Sequence, residues 1–270
     1  MVPMRVPDLT VKKQRGEKIA VLTAYDAAMA RLFDGAGVDA LLVGDSLGMV
    51  VLGHDTTLPV TLDAIIHHTQ AVVRGTERAL VIADMPFLTY QVSVAEAVRN
   101  AGRLLQEGGA AAVKLEGGRG VLEVITRLVE VGIPVIGHLG LQPQSVHQLG
   151  GYRKQATHPQ EADALIGDAT ALERAGVSAI VLESIPAELA ATVTARLKIP
   201  TIGIGAGPDC DGQVLVSYDM LGLSAGHIPS FVKQYAALGE TIAAATREYV
   251  DDVRNGKYPR TVADASIAIK

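Results

Sequence analysis

Ala40-Leu-Leu-Val-Gly-Asp45 is an apolar run of strand length that ends on a carboxylate, and the chain repeats this arrangement twice. The second run is Leu80-Val-Ile-Ala-Asp84 and the third is Ala111-Ala-Val-Lys-Leu-Glu116. In a parallel α/β protein the carboxyl ends of the strands lie on one face, so these three acidic side chains are expected to converge. Converging carboxylates need a cation. No Cys or His stands at ligand spacing near them, which favours Mg²⁺ over zinc.

Short aliphatic or β-branched runs like these recur and predict eight strands, at 19–24, 39–44, 79–83, 111–116, 133–139, 177–183, 199–204 and 213–217. Stretches with helical spacing lie between most of them, at 26–36, 62–74, 94–107, 121–131, 161–175 and 187–197. Eight strands that alternate with helices in about 250 residues predict a (β/α)₈ barrel. An open doubly wound sheet is the alternative.

The domain organisation is predicted to be simple. No Pro/Ser-rich linker interrupts the chain, so residues 1–270 are expected to form one barrel domain with an N-terminal helical segment and a C-terminal tail. Residues 229–255 are predicted to form a long closing helix, and the tail from Gly256 has no clear pattern.

Composition excludes several classes of protein. With 49% hydrophobic residues among 270, the chain has enough apolar material for one large core. A formal net charge of −5 argues against a nucleic-acid partner. Every apolar stretch is broken well before the roughly 18 residues of a membrane span. Cys210 is the only cysteine and the first residues lack the apolar core of a signal peptide, so a cytoplasmic protein is expected.

Polar side chains gather at the predicted mouth of the barrel. Residues two apart in a strand share a face, so Lys114 and Glu116 are both expected to point inward. The carboxyl ends of the strands also carry Tyr25, Asp26, Asp45, Ser46, Asp84, His138, Glu183 and Ser184.

Each candidate also has a structural interpretation. Asp45 alone could cap a helix, and Glu183 could be a salt-bridged carboxylate at a strand end. His138 could satisfy a carbonyl group in the core. Lys114 lies in an otherwise apolar strand, where a lysine needs an anionic partner, and this favours a functional role.

Several motifs together resemble those of the ketopantoate hydroxymethyltransferase family over about residues 8 to 255. They are Leu22-Thr-Ala-Tyr-Asp26, Leu42-Val-Gly-Asp-Ser-Leu47, Asp84-Met-Pro-Phe87, Ala112-Val-Lys-Leu-Glu-Gly117, Gly137-His-Leu-Gly-Leu-Gln-Pro143, Ile202-Gly-Ile-Gly-Ala-Gly207 and Asp211-Gly-Gln-Val-Leu-Val216. The set is specific although no single motif is.

The resemblance implies a (β/α)₈ barrel of the phosphoenolpyruvate/pyruvate superfamily type. It implies an enzyme that transfers a hydroxymethyl group from 5,10-methylenetetrahydrofolate to 3-methyl-2-oxobutanoate (α-ketoisovalerate). The product is 2-dehydropantoate (ketopantoate), made through a Mg²⁺-stabilised enolate on the route to pantothenate and coenzyme A. A homo-oligomer is also implied, here a decamer built from pentameric rings.

The resemblance also assigns roles to residues. Asp45 and Asp84 correspond to metal ligands that also hold the ketoacid through the metal, and Glu116 corresponds to a third ligand acting through water. The remaining assignments are Ser46 and Lys114 for binding the ketoacid, Glu183 for the base, and His138 as a candidate for hydrogen bonding to the substrate or the new hydroxyl group.

Two rival functions remain open at this point. Another Mg²⁺-dependent ketoacid enzyme of the same superfamily, a lyase or a phosphonomutase, would use the same fold. The chain lacks a Lys-Lys-Cys-Gly-His string, which disfavours the isocitrate-lyase type. A non-catalytic barrel that binds small molecules is the alternative from a different class, and an intact set of metal ligands with a base argues against it.

Overall fold

The barrel is built from eight strands in a computed structural model that describes residues 2–224, 226 and 228–259. The strands are β1 (Ile19–Thr23), β2 (Ala40–Val43), β3 (Leu80–Asp84), β4 (Ala112–Glu116), β5 (Val135–Gly140), β6 (Ala179–Glu183), β7 (Thr201–Ile204) and β8 (Gly212–Leu215). All pairs are parallel, neighbours follow sequence order, and β1 pairs with β8 to close the barrel. The predicted (β/α)₈ barrel is confirmed, and the open sheet is wrong.

Helices follow most of the strands. They are α1 (Val6–Gln14), α2 (Ala27–Ala36), α3 (Leu47–Val50), α4 (Leu62–Gly75), α5 (Val94–Gln106), α6 (Leu122–Glu130), α7 (Val146–Leu149), α8 (Pro159–Ala175), α9 (Ala187–Arg196), α10 (Ser217–Met220) and α11 (Leu238–Arg254). Asp26, Thr61 and Ser93 each accept a backbone N–H at the start of a helix. None of the described helices combines the length and apolar character needed to cross a membrane.

Apolar side chains fill the N-terminal half of the barrel. The main cluster is made of Ile19, Val21, Ala40, Leu42, Leu80, Ile82, Ala112, Ile136, Ala179, Val181, Ile202 and Val214. Leu9 of α1 is 2% exposed and belongs to the same cluster, with Met4 and Val6 packed against it. Lys114 and this cluster line a small cavity of about 20 Å³. The N-terminal end is therefore packed with hydrocarbon, and the polar groups are left to the other end.

Two carboxylates at the N-terminal end of the barrel accept hydrogen bonds from nearby donors. The Asp34 carboxylate accepts the backbone N–H groups of residues 77–79, which lead into β3, at 2.6 to 3.2 Å. The Asp211 carboxylate accepts from Lys13 Nζ at 2.8 Å and from the Thr201 N–H at 2.8 Å. These contacts tie loops and helix α1 to strand starts, so they serve the fold.

Residues 218–259 belong to a second compact unit, whose main element is α11. The helix predicted over 229–255 was too long, because α11 begins only at Leu238. The N–H groups of Tyr235, Leu238 and Gly239 donate to the carbonyl groups of residues 220–222. Because these N–H groups donate to residues 220–222, they cannot make the hydrogen bonds of a helix that begins near residue 229.

The predicted C-terminal tail lies mostly outside the described residues, since residues 260–270 are not among them. The predicted N-terminal helical segment corresponds to α1. That residues 1–270 form a single domain stays a prediction.

Candidate active site

Asp45 and Asp84 meet at the carboxyl ends of β2 and β3. The backbone N–H of Asp45 donates to Asp84 Oδ2 at 2.9 Å, and both side chains are almost fully buried. A Cβ atom on Gly44 would lie 2.8 Å from Ser46 Oγ and 3.4 Å from Asp84 Oδ2. Glycine at this position therefore leaves room for the Ser46 hydroxyl and the Asp84 carboxylate.

Lys114 has the anionic partner that its strand position requires. Its Nζ lies 2.8 Å from Asp84 Oδ1, and the two residues are direct partners in the β3–β4 register. Lys114 is 5% exposed, so the pair is shielded from water. Asp84 is therefore the anionic partner of Lys114.

His138 sits between two carboxylates and a cation. Its Nδ1 is 3.4 Å from Glu116 Oε1 and 3.3 Å from Lys114 Nζ, and its Nε2 is 3.1 Å from Glu183 Oε2. Glu116 and His138 face each other in the β4–β5 register. The imidazole therefore contacts charged side chains of the site. The structural interpretation, a hydrogen bond to a carbonyl group in the core, does not describe these contacts.

Glu183 is the accessible acid of the group. Its side chain is 17% exposed, whereas those of Asp84 and His138 are each 3% exposed. The carbonyl of Glu183 accepts the Leu141 N–H at 2.8 Å, and a Cβ atom on Gly140 would lie 2.2 Å from that carbonyl oxygen. Gly140 has a φ of 93°, which suits glycine. The loop after β5 thus crosses close to Glu183 and leaves its carboxylate at the rim of the site.

Ser46 is half-buried at the start of α3, next to Asp45. Its Oγ is 2.9 Å from the hydroxyl of Tyr25, which is 2% exposed. A second residue fixes this corner, because His68 Nδ1 contacts the carbonyl of Tyr25 at 2.6 Å. Both hydroxyl groups can donate or accept, so this edge of the site suits the oxygen atoms of a small ligand.

The buried aspartates are difficult to ionise. Burial, and then the charges of Asp84 and Glu116, raise the pKa of Asp45 well above its usual 3.8. Burial also raises the pKa of Asp84, although the charge of Lys114 acts in the opposite direction. An added cation would favour the ionised form of both groups.

For Lys114, His138 and Glu116, contacts with groups of opposite charge determine the direction of the pKa shift. Burial would lower the pKa of Lys114, but the charges of Asp84, Glu116 and Asp45 outweigh it and raise that pKa. Burial and Lys114 would lower the pKa of His138, yet contacts with Glu116 and Glu183 raise it to about 9. Burial opposes ionisation of Glu116, but its contact with His138 lowers its pKa.

Several buried polar atoms of this site lack an aligned hydrogen-bond partner among the described residues. They are Asp84 Oδ1, Glu116 Oε1 and His138 Nε2. Each of them nevertheless lies within ion-pair distance of an opposite charge, and the carboxylate oxygens are hard donors of the kind that Mg²⁺ prefers. Within the described ranges no three acidic, Cys or His side chains are arranged to bind one metal ion directly. The donor set therefore fits a cation held by one or two carboxylates with water completing its shell.

The sequence interpretation missed two residues of the site, Gln144 and Tyr90. Gln144 Nε2 donates to Asp45 Oδ2 at 2.9 Å, and its backbone N–H donates to Glu116 Oε2 at 3.1 Å. The Tyr90 hydroxyl lies 2.9 Å from Gln144 Oε1. The one signal for Gln144 was its place directly after the quoted Gly137 to Pro143 motif, and Tyr90 had none.

Solved structures of low sequence identity share this fold. A phosphonopyruvate hydrolase in complex with oxalate and Mg²⁺ superposes with a TM-score of 0.64 at 13% identity, covering 98% of this chain and 93% of that one. A 2,3-dimethylmalate lyase, described as a PEP mutase/isocitrate lyase superfamily member, gives a TM-score of 0.60 at 19% identity, covering 98% and 92%. At these identities the likeness concerns the fold alone.

Relatives by sequence are much closer. The 3-methyl-2-oxobutanoate hydroxymethyltransferase of Moorella thermoacetica is 59% identical over 254 residues, which cover 94% of each chain. The enzyme of the same name from Pelobacter propionicus is 55% identical with the same coverage. The sequence profile of the ketopantoate hydroxymethyltransferase family matches residues 3–261. The chain therefore belongs to the ketopantoate hydroxymethyltransferase family.

Proposed function

We propose that this chain transfers a hydroxymethyl group from 5,10-methylenetetrahydrofolate to 3-methyl-2-oxobutanoate and so forms 2-dehydropantoate. The observation that carries the proposal is the partly exposed carboxylate of Glu183, which contacts His138 at 3.1 Å in the same site as the buried Lys114–Asp84 pair. A carboxylate base near a buried lysine suits removal of a proton next to a ketone, because positive charge stabilises the enolate that forms. Family membership supports the choice of substrate.

Asp45 and Asp84 are proposed to hold a Mg²⁺ ion, with Glu116 acting through water. The burial of all three carboxylates supports this, as does the pKa of Asp45, which burial and then the charges of Asp84 and Glu116 raise. When bound, Mg²⁺ stabilises negative charge that develops on the keto oxygen of the substrate.

Lys114 and Ser46 are proposed to bind the ketoacid. The ammonium group of Lys114 would neutralise negative charge of the substrate, because it is buried and its raised pKa keeps it protonated. Ser46 Oγ and its partner Tyr25 would hydrogen-bond a substrate oxygen at the opposite corner. These two contacts would orient the reacting carbon toward Glu183.

Glu183 is proposed to take the proton from C3 of the ketoacid. In the net reaction C3 forms a bond to the one-carbon unit, both bonds from that unit to the folate nitrogens break, and water supplies the hydroxyl group. The two protons released, one from C3 and one from water, go to the two folate nitrogens, and tetrahydrofolate leaves. His138 Nε2, 3.1 Å from Glu183 Oε2, would keep the base oriented and provide a hydrogen bond for the substrate or the new hydroxyl.

Proton removal can be measured without folate. Protein with Mg²⁺ and 3-methyl-2-oxobutanoate in deuterated water should exchange the hydrogen on C3. Glu183→Gln keeps the shape of the side chain but cannot accept the proton, so exchange should fall roughly 10²- to 10⁴-fold. The exposed Glu188, at the start of α9, provides the matched control Glu188→Gln, which should exchange at the parent rate. Parent-rate exchange by Glu183→Gln would remove Glu183 as the base and make His138 the next candidate.

Product analysis separates the proposed transferase from the rival functions. A lyase or phosphonomutase of this fold would not consume 5,10-methylenetetrahydrofolate, and a non-catalytic barrel would form no product. Mass spectrometry should detect 2-dehydropantoate when both substrates and Mg²⁺ are present. Its absence with folded, metal-loaded protein would overturn the assignment.

The assembly and location of the protein are also proposals. The family resemblance supports a homo-oligomer, here a decamer, without nucleic acid or membrane. A cytoplasmic location is supported by the buried, unpaired Cys210, since no disulfide is used. Sedimentation velocity of the full chain measures the subunit number, and a monomer would contradict the decamer.

A further inference from the structure

Gln144 donates hydrogen bonds to groups at the ends of three strands of the candidate site. It lies in the turn Pro143–Ser145 after β5 and is 5% exposed. Its Nε2 donates to Asp45 Oδ2 and to the carbonyl of Met85, each at 2.9 Å. Its backbone N–H donates to Glu116 Oε2 at 3.1 Å. Gln144 therefore contacts the carboxylate that follows β2, the carboxylate at the end of β4 and the backbone directly after β3.

The orientation of the Gln144 amide follows from the chemistry of its partners. A carboxylate oxygen and a backbone carbonyl can only accept, so the group that faces Asp45 and Met85 must be the NH₂. On the other side, Oε1 lies 2.9 Å from the Tyr90 hydroxyl and 3.3 Å from Gln91 Nε2, and both can donate. The amide is thus satisfied in one orientation only.

From these contacts we infer that Gln144 is a positioning residue, which fixes the orientation of Asp45 and its separation from Glu116 for cation binding. The inference rests on the proposed function, since it assumes that Asp45 is a ligand. The amide donates to Asp45 Oδ2, and the backbone N–H holds Glu116 by Oε2 while Glu116 Oε1 lies 3.4 Å from His138 Nδ1. A neutral donor can hold both acids near each other without adding charge.

Tyr90 acts on this arrangement through Gln144. Its hydroxyl is buried, accepts the Glu116 backbone N–H at 3.1 Å, and has Gln144 Oε1 as its nearest acceptor. Loss of the hydroxyl would remove one of the two donors that face Gln144 Oε1 and leave the contacts of the NH₂ group in place. Tyr90→Phe should therefore weaken the same function by a smaller factor than loss of the amide itself.

The test measures Mg²⁺ affinity by titration calorimetry, together with the thermal unfolding of the metal-free protein. Gln144→Leu removes the amide at similar size, and the Mg²⁺ dissociation constant should rise about 10- to 100-fold, as for other residues that orient metal ligands. The control is Gln70→Leu, because Gln70 Nε2 makes the same kind of bond, to the Glu107 carbonyl, on the exposed outer surface. This control should bind Mg²⁺ like the parent.

A rise of at least about fivefold in Gln144→Leu supports the inference, and a smaller rise overturns it even if the melting temperature falls. If Gln144→Leu does not fold, the Mg²⁺ dissociation constant of Tyr90→Phe decides in its place, and an unchanged value overturns the inference. Asp45→Asn separates the two levels of the argument. If Asp45→Asn binds Mg²⁺ as well as the parent, the proposed metal site fails, and the role of Gln144 fails with it.

Discussion

Asp34 and Asp45 are both buried, but they lie at opposite ends of the barrel and ionise differently. Asp34 is 8% exposed and Asp45 is 4% exposed. Burial raises the pKa of Asp34, but backbone N–H groups of residues 77–79 outweigh it, so the net shift is downward. Burial and two neighbouring carboxylates raise the pKa of Asp45 well above its usual value.

The difference shows that burial alone does not define a functional carboxylate. Asp34 receives donors from the backbone, which stabilises its charge and the loop that it holds. Asp45 receives one side-chain donor, Gln144, and lies against two other acids. Asp45 lies among other acids and is where we propose the cation, whereas Asp34, with three backbone donors, has the contacts of a structural carboxylate.

The largest expected effect comes from neutralising Asp45. Asp45→Asn should abolish measurable Mg²⁺ binding and lower turnover by roughly 10²- to 10³-fold or more, since charge stabilisation at the reacting group is lost. The free energy of unfolding of the metal-free variant should equal or exceed that of the parent, because an ionised Asp45 is unfavourable there. Calorimetry, steady-state kinetics and urea unfolding measure these three quantities. If Asp45→Asn is destabilised but fully active, Asp45 has a structural role like that of Asp34.

Neutralising Asp34 should have the reverse outcome. Asp34→Asn removes a charged acceptor from three backbone N–H groups, so the free energy of unfolding should fall by about 1 to 3 kcal/mol. Turnover and Mg²⁺ affinity at a temperature where the variant is folded should match the parent. The exposed Asp163 of α8 offers the control Asp163→Asn, with unfolding free energy close to the parent. A catalytic defect in folded Asp34→Asn would contradict a purely structural role.

The smallest expected effect is a pH dependence confined to one end of the barrel. The pKa of His138 is raised from 6.5 to about 9, so its contribution to stability is full below pH 6.5 and is lost as the pH rises through 9. The raised pKa of Asp45 acts in the same direction. Metal-free protein should thus lose on the order of 1 to 3 kcal/mol of stability between pH 6.5 and 9.

Added Mg²⁺ should counter this loss, because it binds the ionised carboxylates. The Mg²⁺-induced rise in melting temperature should therefore be larger at pH 9 than at pH 6.5. Asp34 has a lowered pKa, so its contribution is lost only as the pH falls below its usual 3.8. The destabilisation caused by Asp34→Asn should accordingly be the same at pH 6.5 and 9. Equal Mg²⁺-induced shifts at both pH values would refute the coupling of protons to the cation site.

Sequence patterns predicted the barrel because most of its strands are buried on both faces and read as short apolar runs. The run predicted at 79–83 and the observed Leu80–Asp84 differ by one residue. The strand-end acids were visible for the same reason, since a carboxylate after an apolar run is conspicuous. Gln144 was not, because a neutral amide in a loop carries no periodic signal and its partner Asp45 lies 99 residues away in sequence.

The packing of α1 against one end of the barrel limits the routes by which a proton can leave the active site. Leu9 and the apolar layers close one end of the barrel, so within the described residues the polar route to Glu183 is the mouth. Under the proposed mechanism, the proton that Glu183 takes from the ketoacid would have to leave by the opening through which the substrate entered. While bound reactants cover that opening, the proton would be held inside, and its return to the same carbon would compete with its escape to solvent.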